Sequence, residues 1–230
     1  MPRPVLALAI GTFLCALSCA HAQTATQPLP ANYQTILTNP DLLVMRVHYG
    51  PHEIVPMHDH SAYPSVFVYL NDSGVIEIDH ATGETIKRPP THTGAFRITP
   101  SMIERHSITN LSSIPSDFLR IELRRIPLTA ISEPFRGTAP QSPTPGLHTD
   151  FQNAALRIDR ILCPPTSTCQ IPPASARSLL VSITPLHVQT AHASTSLQPG
   201  DVLWSPAPAD QPSTLNSAAK ALRITLLYPE

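Results

Sequence analysis

The stretch Phe118-Leu119-Arg120-Ile121-Glu122-Leu123-Arg124 alternates apolar and charged side chains with a period of two. Successive residues of a strand point to opposite faces, so this run predicts a half-buried β-strand. The pattern returns near the C-terminus as Ala221-Leu222-Arg223-Ile224-Thr225-Leu226, at an offset of 103. Outward from it, Val44–Tyr49, Ser65–Leu70, Val75–Asp79, Ala95–Ile98 and Ser107–Leu111 are also rich in β-branched or aromatic residues. Asn71-Asp72-Ser73-Gly74 and Ala81-Thr82-Gly83-Glu84 supply turn chemistry between such runs. The 230 residues hold 27 Pro against 8 Gly. A proline inside a helix costs about 3 kcal/mol, whereas strand ends and turns tolerate it. The predicted fold class is all-β.

The second half repeats the first in order. Val44-Met45-Arg46-Val47 matches Ala155-Leu156-Arg157-Ile158 at an offset of 111, and Ser65-Val66-Phe67-Val68 matches Ser178-Leu179-Leu180-Val181 at 113. Gly94, Pro100 and Asn110 recur at identical spacing as Gly200, Pro206 and Asn216. Between the copies lie Pro127, Pro134, Pro140, Pro143 and Pro145 with Ser, Thr and Gly, which read as a semi-rigid linker. The expected division is a leader over 1–22, a first unit over 35–126, a linker over 127–147 and a second unit over 148–230.

Arg3 followed by the apolar run Val5–Leu17 and by Ala20-His21-Ala22 reads as a secretory signal cut after Ala22. The expected location is therefore periplasmic or secreted. The alternative is a lipoprotein signal, Ala16-Leu17-Ser18-Cys19, with Cys19 lipidated. No other stretch is long and apolar enough to predict a membrane span. Cleavage would remove Cys15 and Cys19. Cys163 and Cys169 would remain, and in an oxidising compartment they read as a local disulfide. With 16 acids against 15 bases, the charge offers no ground for a nucleic-acid or anionic-membrane partner.

Of the 11 histidines, two stand in Met57-His58-Asp59-His60. On a strand, residues i and i+2 share a face, so His58 and His60 can grip one metal ion. Downstream, Gly94 is followed by Pro100, and His106 by Asn110. Together with Gly50 and Gly74, these residues resemble the two motifs of the cupin superfamily. The resemblance spans most of residues 40–229 and implies a bicupin, two jelly-roll β-barrels in one chain. It also implies a metal site of His58, His60 and His106. The family's first-motif Glu has no counterpart, since Pro64 and Ser65 occupy its place, and Met102 or Ile103 replaces the second-motif Gly. Glu104 is the candidate fourth ligand, ahead of Glu53. In the second copy the His-x-His pair aligns with Ile171 and Pro173, and His106 with Pro212, so that barrel has no site.

The remaining histidines, His80 among them, read as solvated, with His52 and His92 as candidate outer partners of the ligands. The expected pocket wall is Ser65, Phe67 and Tyr69, joined by Phe96 and Ile98. Tyr63 or Tyr69 could offer a hydroxyl to a substrate. Three neutral imidazoles leave a divalent ion (Fe, Mn, Zn or Cu) its full charge and open positions. The resemblance implies a quercetin-dioxygenase-like oxidoreductase acting on a small organic molecule. The alternatives are a non-catalytic cupin that binds metal or a small ligand, and a purely structural protein. The second barrel would supply the packing that single-domain cupins obtain by dimerising, which suits a monomer or a weak homo-oligomer.

Overall fold

Short β-branched runs separated by Gly, Asn and Pro turns leave no room for helices, and every regular element among the described residues is a strand. The computed structural model describes residues 28–139 and 144–228. The expected leader, with Cys15, Cys19 and the cleavage position at Ala22, lies outside them.

The first half comprises β1 (Tyr33–Thr38), β2 (Leu42–Tyr49), β3 (Ile54–His60), β4 (Ser65–Tyr69), β5 (Ile76–His80), β6 (Thr85–Arg88), β7 (Phe96–Thr99), β8 (Glu104–Asn110), β9 (Ser116–Leu123) and β10 (Phe135–Gly137). They form a six-stranded sheet, β1-β2-β9-β4-β7-β10, and a four-stranded sheet, β3-β8-β5-β6. The second half comprises β11 (Gly146–Gln152), β12 (Leu156–Leu162), β13 (Cys169–Ile171), β14 (Ser178–Ser182), β15 (Leu186–Gln189), β16 (Ser194–Leu197), β17 (Val202–Ser205), β18 (Ser213–Leu215) and β19 (Lys220–Leu226). Its sheets run β11-β12-β19-β14-β17 and β13-β18-β15-β16, the same order with no counterpart of β10. Two jelly-roll units of antiparallel strands result.

Strand pairing corrects one repeat register. Leu42 pairs with Leu123 and Leu156 with Leu226, so β2 and β12 correspond at an offset of 156 − 42 = 114 rather than 111. Turn chemistry agrees with this. Asn39 Oδ1 accepts from the amides of Asp41 and Leu42, and Asn153 Oδ1 does the same for Ala155 and Leu156. Ser65 and Ser178 lie opposite Glu122 and Thr225, as the offsets of 113 and 103 require.

Strand β9, expected to be half-buried from its alternation, is covered on both sides. Leu119, Ile121 and Leu123 pack with Ile158, Leu179 and Ile224 in a core shared by the two barrels. Arg120 and Glu122 face the opposite way, into the first barrel, and are only 4% and 1% exposed. Both faces of β9 are therefore covered. A charged face can be buried when its charges pair with one another, and here Arg120 and Glu122 do so together with Glu104.

The stretch expected as a linker is largely built into the fold. Ile131 enters the shared core, and Phe135–Gly137 extends the six-stranded sheet against β7. Proline-rich sequence can do this at a sheet edge, where one set of backbone amides needs no partner. Gly137 is required there, because a Cβ would lie 2.1 Å from the Phe96 ring. Cys163 and Cys169 are joined by a disulfide, with Cα atoms 5.3 Å apart, which ties the end of β12 to β13.

Candidate metal centre

His58 and His60 lie two residues apart on β3, and β8 runs beside it with His106 directly opposite His58. Cross-strand partners share a face, so all three imidazoles enter the barrel, with exposures of 2%, 4% and 4%. Asp59 and Arg105 take the outward positions and pair there at 2.7 Å. The nitrogens available for ligation all lie within 4.8 Å of one another, and His58 Nε2 is 3.1 Å from His60 Nε2. Two nitrogens bound to one ion at about 2.0–2.1 Å each must stand about 3 Å apart.

A hydrogen bond sets the His58 tautomer. The Pro56 carbonyl can only accept, so His58 Nδ1, 2.8 Å away, carries the proton and Nε2 presents a lone pair. Glu104 Oε1 stands 3.2 Å from His106 Nδ1, a close approach without a hydrogen bond. Both ring nitrogens of His106 are buried and have no hydrogen-bond partner. A buried imidazole nitrogen with a free lone pair, beside two others, fits a divalent cation. Burial lowers the pKa of both His58 and His60, and the Arg120 charge depresses His60 further, so both rings are neutral and ready to ligate near pH 7.

Glu104 is not placed as a fourth ligand. Its second oxygen accepts from Arg120 Nη1 at 2.9 Å, so the carboxylate is held by the arginine and lies between it and the His106 ring. Burial pushes its pKa up, but Arg120 and His106 more than reverse this and hold it well below the usual carboxylate range. Glu53 is spent on the Gly50 amide and Asn32. His52 is exposed in a turn, and exposed His92 lies 3.7 Å from Asp72, so neither backs the ligands. His80, read from sequence as solvated, packs edge-on to the His106 ring at 5.7 Å.

Tyr33 was not legible in the sequence. Its hydroxyl donates to His58 Nε2 at 2.9 Å, a bond that gives way when that lone pair takes a metal, and lies 2.6 Å from the Tyr49 hydroxyl. It stands 25 residues before His58 and two residues ahead of the expected start of the barrel, and only the β1–β2 pairing brings it over the histidines. Burial, with the Tyr49 neighbour, raises its pKa well above the ordinary value, so the phenol keeps its proton.

Phe67 and Tyr69 line the lumen with Tyr49, Ile108 and Phe118. Ser65 is buried with its hydroxyl turned to the Tyr63 carbonyl. Phe96 and Ile98 are not on this wall. Their strand pairs Phe67 with Arg97, so Arg97 takes the lumen side, 4.3 Å from the Phe67 ring centre, and its neighbours enter the shared core. A cavity of about 350 Å³ opens beside His60, lined by Ser61, Tyr63, Glu122 and Arg124.

The second barrel has no such cluster among the described residues. Ile171 occupies the position of His58, and the residue opposite it is Ser213, not Pro212. Ile171, Pro173, Ser213 and Arg223 line a cavity of about 240 Å³ in that place. Arg223 binds Asp159 and the Pro172 carbonyl, where its counterpart Arg120 binds Glu104.

Comparison with solved structures places this architecture. AerE from Microcystis aeruginosa superposes with a TM-score of 0.57 at 14% identity, covering 85% of this chain and 97% of that one. YhaK from Escherichia coli gives 0.54 at 18% identity, covering 81% and 85%. A salicylate 1,2-dioxygenase variant from Pseudoaminobacter salicylatoxidans, in complex with gentisate, gives 0.51 at 13% identity, covering 86% and 76%. The chain has the cupin fold. The bicupin expectation is met in that both halves take it, each with its own pair of sheets. No family model matches the sequence, and no curated protein matches it. At these identities the likeness is one of fold.

Proposed function

We propose that this cupin binds one divalent metal ion through His58, His60 and His106 and acts as a dioxygenase-type oxidoreductase on a small organic substrate. The observation that carries this reading is the bare, buried Nε2 of His106 beside two neutral imidazoles. Three nitrogens without a carboxylate suit Fe, Mn, Zn or Cu, and the ion, when bound, supplies a Lewis-acidic or redox centre with open positions. The chain's own residues do the remaining work. The Pro56 carbonyl fixes the His58 tautomer, Glu104 sets a negative charge beside the His106 ring, Phe67, Tyr49 and Phe118 exclude water from the lumen, and Tyr33 offers a hydroxyl beside His58. The cavity beside His60 gives access. A protein of the same fold holds gentisate, which supports a small organic ligand here.

A second reading, a non-catalytic metal or ligand carrier, draws on one observation. Glu104 and Glu122, the carboxylates beside the cluster, are both engaged by Arg120, which leaves no free general base. We also propose export to the periplasm or beyond, which the Cys163–Cys169 disulfide supports. The apolar core shared by the barrels supports a monomer, since it covers the face that a lone barrel would have to bury.

The test is to load the mature protein with Fe²⁺ and follow O2 uptake with flavonols, other enediols and thiols. Uptake that requires a substrate and disappears in His60→Ala supports catalysis. A fully loaded protein that is silent across the panel supports the carrier. Protein that takes up none of Fe, Mn, Zn or Cu overturns both.

A further inference from the structure

The first barrel has an open seam where two sheet edges meet. β6 ends the four-stranded sheet and β10 ends the six-stranded one, and a cavity of about 140 Å³ lies between them. It shares no residue with the mouth beside His60 and contains none of the three histidines. Arg88, Arg97 and Arg136 all line it, and no Asp or Glu does.

Arg88 is only 5% exposed. Its Nη2 donates to Ser116 Oγ at 3.0 Å, and its guanidinium lies 5.2 Å from the Tyr69 ring centre and 5.7 Å from that of Phe118. Its Nε has no acceptor, and neither has the buried Nε of Arg97. Arg97 and Arg136 are directly opposed on the paired strands β7 and β10, where like charges repel. None of the three arginines makes an ion pair among the described residues. Burial and the Arg97 charge together lower the Arg88 pKa. Every other arginine that is at least nine-tenths buried has a carboxylate, Arg120 with Glu104, Arg160 with Asp150 and Arg223 with Asp159. An unpaired buried cation is costly to a fold, and a second cation opposite a third adds to that cost.

We propose that this seam is a binding site for a small organic carboxylate, with Arg88, Arg97 and Arg136 receiving the anionic head. A guanidinium fork matches a carboxylate in two parallel hydrogen bonds. The body of the ligand would lie on Tyr69, Phe96, Pro89 and Pro90, an apolar wall that inorganic oxyanions cannot use. None of the three histidines lines it, although Arg88 and Arg97 also border the lumen with Tyr33 and Arg120.

Benzoate is the probe, benzamide its neutral counterpart and inorganic phosphate the competing anion, each titrated calorimetrically into the mature protein. One benzoate should bind per chain, with benzamide at least about tenfold weaker, since a hydrogen bond to a charged group is worth roughly 10- to 100-fold, and with phosphate weaker because it leaves the apolar wall uncovered. Exposed Arg136 carries the decisive variant. Arg136→Gln should weaken benzoate by about tenfold or more, and Arg97→Gln likewise. Arg88→Met, if it folds, should melt higher than the parent without ligand and show no benzoate-induced shift. His60→Ala, whether or not metal is lost, should bind benzoate unchanged. Equal binding of benzamide, tighter binding of phosphate or indifference to Arg136→Gln would each overturn the proposal. So would loss of benzoate binding in His60→Ala, because it would place the anion at the histidines.

Discussion

The two barrels share one strand order and put different chemistry at the same positions of it. Where β3 and β8 oppose His58 with His106, β13 and β18 oppose Ile171 with Ser213. Where Arg120 holds a carboxylate that lies beside a candidate ligand, Arg223 holds Asp159 from the neighbouring strand and the Pro172 carbonyl. The lesson is that the arginine belongs to the fold and the histidines belong to the site. Both barrels keep a buried, paired arginine on the middle strand, so its conservation in position says nothing about metal.

The sharpest break of this comparison is the ligand set itself. His58→Ala or His106→Ala should lower the affinity for divalent metal by more than about a hundredfold, since even partners behind the ligands contribute 10- to 100-fold. Elemental analysis after dialysis against a weak chelator reads it. Retained metal in both variants would mean that the ion sits elsewhere. Glu104→Gln should weaken binding by about 10- to 100-fold, because its charge stands beside the His106 ring without ligating. A loss as large as that of His106→Ala would make Glu104 a ligand after all.

A second set tests what the barrels share. Ile121 and Ile224 lie fully buried in the common core, at equivalent places on β9 and β19. Ile121→Ala and Ile224→Ala should each cost about 2–5 kcal/mol in urea unfolding. If the barrels form one cooperative unit, both lower the same single transition. Two separate transitions, each moved by one variant, would show barrels that fold alone.

The pH dependence of the metal-free protein should belong to the first barrel. His58 and His60 have pKa values depressed below the ordinary 6.5, so the fold binds fewer protons there than the unfolded chain. Their contribution is complete above about pH 6.5 and is lost as pH falls toward the folded values. The urea midpoint should therefore drop on acidification from pH 7 to 5. His60→Phe should flatten part of that drop, and an unchanged slope would assign it to other groups.

How much of this was legible in the sequence follows from which signals are local. The His58–His60 pair could be read because a strand's period of two is a local rule, and His106 because its spacing to Gly94 and Asn110 matched a family pattern. Arg120 and Glu122 misled, because alternation marks two faces of a strand without saying that both are covered. The same limit put Phe96 and Ile98 on the wrong wall, where a one-residue choice of parity moved both from lumen to shared core. Tyr33 and the seam cavity depend on strand pairing between distant segments, and no spacing reports that. Proline content hid β10, an edge strand that needs few backbone partners.

The smallest effects come from one pair of equivalent arginines, Arg46 and Arg160, related by the same offset of 114 as the strands that carry them. Each reaches across to a glycine turn of the other barrel, at Gly200 and at Gly94, whose φ values are 82° and 79°. Arg160 is 5% exposed, donates to the Gly94 carbonyl at 2.7 Å and pairs with Asp150 at 2.7 Å. The Arg46 side chain is 37% exposed, bonds the Pro199 carbonyl at 3.1 Å and approaches Asp201 only to 3.5 Å. Exposed pairs contribute about 0–1 kcal/mol, whereas removing one partner of a buried pair strands the other and costs about 3–5 kcal/mol. Arg160→Ala should thus lower stability severalfold more than Arg46→Ala in matched urea titrations, and only the Arg46→Ala difference should vanish in high salt. Equal losses would mean that the two turns are held by their glycines and packing rather than by the arginines that cross to them.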